Sequence, residues 1–229
     1  MTNIESWDRI AARQSNGDPQ TDTVIYGPDG PAERELRLIG DVKGKRVLEL
    51  GCGTGQAAVT LAKQGATVIA VDASTVQLAH ARRLMERAEV RIEWHETDLA
   101  DLAFLRGDSI DVALSVFTIG EVDDVNRLFR QVHRVLRPAG AFVFCYEHPM
   151  SPVWSDDSSR SYFDESPVTV QRDGEPITLY PRTISEVFTE LGRAGFRVEV
   201  LIEPPPAPHT LLSVTAPSTI VWRARKEGA

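Results

Sequence analysis

The sequence has few cysteines, few aromatic residues and no long apolar run. Only two of its 229 residues are cysteines, and 7% are aromatic. Two cysteines cannot build a disulfide framework, and no Cys/His group has zinc-site spacing, so a reducing compartment and no metal are expected. No stretch approaches the roughly 18 apolar residues of a membrane span, and Met1 to Arg13 lacks the apolar core of a signal peptide. We therefore expect a cytoplasmic protein with no membrane contact.

Basic residues are also in short supply. The chain has 25 Lys and Arg against 33 Asp and Glu, a formal net charge of −8. Affinity for nucleic acid depends largely on basic side chains that displace counterions, so a nucleic-acid partner is disfavoured. With 42% hydrophobic and 25% charged residues, the chain can bury an ordinary core. Its length suits one domain with additions.

Apolar segments of strand length alternate with stretches of helical period between Lys45 and Tyr146. This alternation is typical of βαβ units in a parallel sheet. The predicted strands are Arg46 to Leu50, Thr67 to Asp72, Arg91 to His95, Ile110 to Ser115 and Ala141 to Tyr146. The apolar residues from Val125 to Leu136 recur at helical spacing and predict a helix, which Pro138 and Gly140 end.

The C-terminal part adds one more helix and two strands, predicted at Thr183 to Ala194, Arg197 to Leu201 and Ser218 to Arg225. A hairpin of Val168 to Val170 with Ile177 to Leu179 is predicted through Asp173 and Gly174, since an Asp-Gly pair favours a two-residue turn. The expected fold is α/β: a doubly wound, Rossmann-like, seven-stranded and mostly parallel sheet, with helices on both faces and a small lid hairpin.

This pattern divides the chain into four parts. We expect residues 1–37 to form an N-terminal cap over a cofactor, residues 38–146 the cofactor-binding core, residues 147–182 a lid insertion with the hairpin, and residues 183–229 the helix and strands that complete the sheet. Glu203 to Pro217, with five prolines, is expected to be irregular.

The stretch VLELGCGTG, residues 47 to 55, is the most informative motif. Its glycines let a ligand approach the main chain after a buried strand, where the next helix offers unpaired N–H groups. A dinucleotide site requires G-x-G-x-x-G, but Gln56 replaces the third glycine, and the Gly-Lys-Ser/Thr ending of a P-loop is absent. A polar ligand other than a phosphate is indicated.

Two acidic residues follow the next two strands. Asp72 lies 21 residues after Gly51, where doubly wound folds place a carboxylate that binds a ribose diol. Asp98 can accept from an adenine amino group while Leu99 covers the ring. Because the carboxyl ends of parallel strands share one edge, these residues and Ser115 are expected in one crevice. The alternative for Asp72 and Asp98 is a helix N-cap.

Five motifs in order give the chain its family resemblance. They are VLELGCGTG (47 to 55), VIAVDAS (68 to 74), ETDLADL (96 to 102), DVALSVFTIGEV (111 to 122) and LFRQVHRVLRPAGAFVF (128 to 144). On these residues the chain resembles class I S-adenosylmethionine (SAM) dependent methyltransferases with a ubiquinone-methylase-like core. The resemblance covers about Leu38 to Glu203.

The resemblance implies SAM as cofactor and S-adenosylhomocysteine as product. Glu49 would hold the loop or reach the methionine amino group, the loop main chain would pass along methionine and ribose, and Asp72 would bind the ribose. Ala73 and Gln77 would flank the adenine, and Ser115 would offer a carbonyl. Tyr26 would fold over SAM. The implied cofactor-binding set is Tyr26, Glu49, Gly51, Cys52, Gly53, Gly55, Asp72, Ala73, Gln77, Asp98, Leu99 and Ser115.

The predicted catalytic pair follows the fifth strand. His148 is the candidate base because imidazole titrates near neutral pH, and Glu147 is the candidate group that orients it. The alternative is a structural histidine. Trp154, Tyr162 and Phe163 are candidates for an aromatic wall around the acceptor, or else for the core of the lid.

The sequence thus predicts transfer of a methyl group to O or N of a small molecule by in-line displacement. The expected partner is a small-molecule acceptor, with no nucleic acid, and the chain is expected to be a monomer or homodimer. The alternatives are a catalytically silent SAM-binding or scaffold protein and, less favoured, an RNA methyltransferase. The glycine spacing disfavours a nicotinamide oxidoreductase.

Overall fold

A computed structural model describes residues 2–14, 19–27, 30–151, 160–205 and 217–228. The helices are α1 (Asn3–Arg13), α2 (Glu33–Leu36), α3 (Gln56–Lys63), α4 (Thr75–Arg87), α5 (Val125–Val135) and α6 (Ile184–Arg193), with a 3-10 turn at Ile119–Glu121. The strands are β1 (Arg46–Leu50), β2 (Thr67–Asp72), β3 (Ile92–Glu96), β4 (Ile110–Val116), β5 (Leu136–Glu147), β6 (Val168–Arg172), β7 (Glu175–Leu179), β8 (Phe196–Ile202) and β9 (Thr219–Lys226).

The central sheet has seven strands in the order β3-β2-β1-β4-β5-β9-β8. Strands β1 to β5 pair in parallel, and β9 is antiparallel to both of its neighbours, β5 and β8. The inner strands are apolar on both faces because helices cover both, so four of the five residues of β1 are buried. The predicted seven-stranded, mostly parallel Rossmann-like fold is confirmed.

Short polar side chains begin the helices that cover the sheet. Ser74, Asp124 and Thr183 cap α4, α5 and α6 by accepting from backbone N–H groups three residues on. The predicted apolar stripe of α5 is buried, and Phe129 packs against Phe142 of β5 with ring centroids 6.0 Å apart. Strand β5 starts at Leu136, five residues before the predicted start, so helix α5 passes almost directly into it.

A smaller unit stands beside the carboxyl end of the sheet. The predicted hairpin of β6 and β7 is present and turns through Asp173 and Gly174, both with positive φ (48° and 79°), as its two-residue turn requires. Helix α1 lies on this hairpin, where Ile10 packs with Val170, Ile177 and Leu179. None of the helices within the described ranges is long and apolar enough to cross a membrane.

Candidate functional site

A cavity of about 670 Å³ opens at the carboxyl ends of β1, β2 and β4. This is the edge at which open α/β sheets bind ligands. Nine of the twelve predicted cofactor-binding residues line it: Glu49, Gly51, Cys52, Gly53, Asp72, Ala73, Gln77, Asp98 and Leu99. The structure therefore brings most of the predicted set together in one place.

Asp72 connects the glycine loop to the end of β2. Its Oδ2 accepts from the Gly53 amide at 2.8 Å, and its Oδ1 accepts from the Ser74 amide at 2.9 Å. Burial raises the pKa of this carboxyl, and the backbone hydrogen bonds oppose the rise. Ser74, not Asp72, caps α4, so the N-cap alternative for Asp72 is wrong. A carboxylate has about four acceptor positions, so Asp72 retains capacity for a ligand.

Glu49 is a buried carboxylate on the cavity wall. Glu49 is only 2% exposed, and its Oε2 has no hydrogen-bond partner among the described residues. Burial, with a smaller contribution from the charge of Asp72, raises the pKa of Glu49 to about 8. A buried carboxyl oxygen without a hydrogen-bond partner lowers the free energy of unfolding unless a donor or a cation reaches it.

Two polar residues, Gln77 and Asp98, line the cavity beside the apolar Leu99. Gln77 is buried, and its Oε1 has no hydrogen-bond partner among the described residues. A Cβ placed on Gly53 would meet only this oxygen, at 4.0 Å, so the loop backbone is open to the cavity. Asp98 lies beside Leu99 and accepts from the Ala100 amide at 2.8 Å, which fixes the turn after β3.

Three predicted cofactor-binding residues, Tyr26, Gly55 and Ser115, do not line the cavity. Gly55 faces α4 and β3, where a Cβ would lie 2.9 Å from both Ala81 Cβ and Trp94 Cη2, so this glycine serves packing. Ser115 is fully buried inside β4, because the strand continues to Val116 before the chain leaves the sheet.

Tyr26 is also buried in the core and not over the cavity. Its hydroxyl donates to Glu33 Oε2 at 2.5 Å, and its ring packs among the apolar residues beneath the sheet. The residues just before it, Thr23 to Ile25, line the cavity instead.

The predicted catalytic pair, His148 and Glu147, lies outside the cavity lining. The His148 ring is buried, with Nε2 2.7 Å from Glu203 Oε1 and Nδ1 accepting from the Met150 amide at 3.0 Å. Glu147 forms a buried ion pair with Arg172 of the hairpin, so it does not orient the imidazole. The structure favours the structural-histidine alternative.

The predicted aromatic wall does not form among the residues that can be placed. Trp154 lies outside the described residues. Phe163 is 78% exposed, and the Tyr162 hydroxyl accepts from the Ile184 amide at 2.9 Å, which fixes it against α6. Neither ring lines the cavity.

The other end of the cavity lies between α1 and the segment after β4, and its residues were not among the predicted site residues. It is lined by Asn3, Ile4 and Trp7 of α1 and by Thr118, Glu121 and Val122 after β4. The one signal for α1 is the pairing of Thr2 with Glu5, a capping box that starts a helix at Asn3. Glu121 is the next-to-last residue of the motif DVALSVFTIGEV and lies five positions after Val116, the last residue of β4.

Comparison with known proteins shows the family to which the chain belongs. A methyltransferase domain model matches residues 47–140. A crystal structure of an S-adenosylmethionine dependent methyltransferase from Mesorhizobium loti is 32% identical, with a TM-score of 0.72, and the match covers 87% of this chain and all of that one.

Two curated relatives match over shorter stretches. Demethylmenaquinone methyltransferase of Tropheryma whipplei is 35% identical over 114 residues, 49% of this chain and 46% of the relative. Magnesium-protoporphyrin O-methyltransferase of Rhodobacter capsulatus is 32% identical over 145 residues, 62% of this chain and 63% of the relative. Each match therefore spans less than two thirds of the curated protein. With the fold, the cavity and the full-length structural match, the chain belongs to the class I S-adenosylmethionine-dependent methyltransferases.

Proposed function

We propose that this enzyme transfers a methyl group from SAM to an oxygen or nitrogen atom of a small molecule. The observation that carries the proposal is Glu49, a buried carboxyl group beside the glycine loop whose Oε2 has no hydrogen-bond partner among the described residues. A phosphate offers this carboxyl group no favourable charge, whereas the ammonium of a methionine arm would donate to Oε2 and favour the ionised form of Glu49. The same cavity extends from Glu49 to the end lined by Asn3, Ile4 and Trp7 of α1, which we call the acceptor end.

The residues present fit SAM along its length. Glu49 would hold the ammonium, the backbone of Gly51 to Gly53 would follow the methionine arm, and Asp72 would bind the ribose hydroxyls. Asp98, Leu99, Ala73 and Gln77 would enclose the adenine. Gln77 Oε1, which is buried and has no partner among the described residues, would accept a hydrogen bond. These assignments rest on the cavity lining and on the groups left unsatisfied there.

When bound, SAM supplies an electrophilic methyl carbon: the acceptor's lone pair bonds to that carbon as the carbon–sulfur bond breaks, and its electron pair stays on sulfur as a neutral thioether. The chain's contribution is to hold the acceptor in line and to exclude water. Alignment of this kind supplies up to about 7–11 kcal/mol of the barrier. Helix α1 covers the chamber where the acceptor would lie, because Asn3 and Trp7 form part of its wall.

A small acceptor is supported by three observations. The cavity volume of about 670 Å³ lies in the range of small-molecule sites. Its acceptor end carries Glu121, Asp123 and Asp124, which disfavour a nucleic-acid backbone. The two curated relatives are named for a quinone and a porphyrin substrate. A cytoplasmic location and a monomeric or dimeric state remain predictions.

Isothermal titration with SAM and with S-adenosylhomocysteine tests the cofactor. We expect binding well below millimolar concentration, with no competition from nicotinamide adenine dinucleotide. Screening phenols and arylamines for release of S-adenosylhomocysteine then tests turnover. No binding of either nucleoside would overturn the proposal, and tight binding without turnover by any acceptor would support the silent-binder alternative.

A further inference from the structure

Glu121 lies at the acceptor end of the cavity and is more buried than Asp123 and Asp124, the two exposed acids beside it. It ends the 3-10 turn Ile119–Glu121, which follows directly from the carboxyl end of β4. Its half-buried side chain lines the cavity together with Trp7 and Thr118. It therefore lies where an acceptor must lie if SAM occupies the glycine-loop end.

Helix α1 holds the Glu121 carboxylate in a fixed orientation. The indole N–H of Trp7 donates to Oε2 at 2.8 Å and more distantly to Oε1 at 3.1 Å, and the Asn3 amide donates to Oε2 at 2.9 Å. Oε2 is thus saturated, while Oε1 has only the longer indole contact. A carboxylate oxygen accepts two hydrogen bonds, so Oε1 keeps a lone pair for a proton.

Asn3 is itself fixed by the hairpin. Its Oδ1 accepts from the Thr178 amide and its Nδ2 donates to the Thr178 carbonyl, both at 2.8 Å. The donors that orient Glu121 are therefore anchored to β7, and α1 is further tied to the hairpin by the pair of Arg13 with Glu175 at 2.6 Å. A group held in this way loses little orientational freedom when an acceptor binds.

The charges around Glu121 favour proton exchange near neutral pH. Burial is the main effect and raises its pKa to about 7; Glu147 of β5 adds to the rise, and Arg172 of β6 together with the Trp7 and Asn3 hydrogen bonds opposes it. Asp123, Asp124 and Arg127, at the start of α5, also line this part of the cavity. A base is most effective when its pKa lies close to the working pH.

We propose that Glu121 is the general base of this enzyme, and that the acceptor therefore attacks through an atom that carries a proton, a hydroxyl oxygen or an amine nitrogen. This inference rests on the proposed methyl-transfer function. As the acceptor atom bonds to the methyl carbon, its proton passes to Glu121 Oε1, and the carboxylic acid so formed later releases the proton to solvent. The acceptor gains one methyl group and loses one proton, and the sulfonium becomes a neutral thioether.

A competing role is that Glu121 only anchors α1. Glu175 provides the matched control, because it also fixes α1, through Arg9 and Arg13, but does not line the cavity. If Glu121 acted only as an anchor, Glu175→Gln and Glu121→Gln would have similar effects. If Glu121 is the base, only Glu121→Gln abolishes proton transfer.

The test compares wild type, Glu121→Gln and Glu175→Gln with an acceptor from the phenol and arylamine screen. We expect Glu121→Gln to lower turnover by about 10² or more, to lose the rise in turnover as pH increases through about 7, and to retain SAM affinity by titration calorimetry. Glu175→Gln should keep the wild-type pH profile. Wild-type turnover in Glu121→Gln, or an equal loss in both variants, would overturn the inference while the proposed function survived.

A second measurement needs no acceptor. The ¹⁵N-labelled indole N–H of Trp7, assigned with Trp7→Phe, reports the protonation of the carboxylate it contacts. Its chemical shift should move between pH 6 and 8, near the pKa of about 7, in wild type and Glu175→Gln but not in Glu121→Gln. A shift that stays constant in wild type would show that Glu121 does not change protonation, and would overturn the inference even if SAM binds as proposed.

Discussion

The Gly53 amide donates a 2.8 Å hydrogen bond to Asp72 Oδ2, which ties the loop after β1 to the end of β2. The same carboxylate accepts from the Ser74 amide at the start of α4. One side chain thus fixes the spacing between two neighbouring βα units. These two hydrogen bonds therefore fix the carboxylate that we propose binds the ribose.

Replacement of Asp72 by alanine should weaken SAM binding by about 1.5–3 kcal/mol, because charged hydrogen bonds to the ribose are lost. The fold should persist, although the loop loses one hydrogen bond. Titration calorimetry measures the affinity and circular dichroism the fold. Asp101→Ala, an exposed acid that does not line the cavity, is the control and should bind SAM normally. Unchanged affinity in Asp72→Ala would place the ribose elsewhere.

Glu49 should lower the stability of the ligand-free protein at alkaline pH. Burial raises its pKa from the ordinary 4.5 to about 8, so the folded state binds this proton more tightly than the unfolded state does. The free energy of unfolding therefore falls as pH rises through this window. Glu49→Gln should remove that fall, melting higher than wild type at pH 8.5, and should bind SAM more weakly.

Thermal denaturation at pH 5.5 and 8.5, with and without SAM, measures both effects of Glu49→Gln. Glu96→Gln, at the exposed end of β3, is the control and should follow wild type. A variant that binds SAM as tightly as wild type would show that Glu49 does not contact the ammonium.

Gly53 and Gly55 should respond differently to alanine. At Gly55 (φ 82°) the new Cβ would lie 2.9 Å from Ala81 Cβ and Trp94 Cη2, and such overpacking costs about 1–3 kcal/mol of unfolding free energy. At Gly53 (φ 52°) the space is open, so alanine meets only the strain of the left-handed backbone, and the loss of stability should be smaller than at Gly55 while SAM affinity falls. Urea denaturation of the ligand-free variants and titration with SAM distinguish the two. Equal losses of stability would contradict the assignment of Gly55 to packing.

His148→Ala should reduce stability more than catalysis. The buried ring accepts from the Met150 amide, so its removal breaks this hydrogen bond and leaves a cavity, at a cost of about 1–3 kcal/mol. Turnover by the folded variant should stay within about tenfold of wild type, since His148 does not reach the cavity. A loss of about 10² with unchanged melting would restore His148 as a base.

The sequence alone predicted the sheet and the cofactor end of the cavity well, because both depend on local patterns. Buried strands appear in the sequence as apolar runs. Asp72 ends such a strand, β2, and Asp98 lies two residues after the more exposed β3. The predicted ends of some strands were wrong by a few residues where the strand is exposed. Strand β5 begins at Leu136, and its next three residues, which include a proline, are exposed.

The acceptor end could not be predicted in the same way. Its wall combines α1 with the turn after β4, and Asn3 and Glu121, 118 positions apart, meet only through the tertiary fold. Tyr26 and His148 lay at plausible positions along the chain, yet side-chain direction decided their roles: both point into packed surroundings. Sequence position identified the correct edge of the sheet but not which side chains face the ligand.

The position of β9 in the sheet affects the folding of the chain during its synthesis. Strand β9 lies between β5 and β8, so β8, although synthesised earlier, pairs with the sheet only through β9 in the part of the chain that the structure describes. Until Thr219–Lys226 leaves the ribosome, β5 offers an open edge able to pair with another chain. The growing polypeptide should thus be most prone to aggregate, and most dependent on chaperones, just before this strand is added.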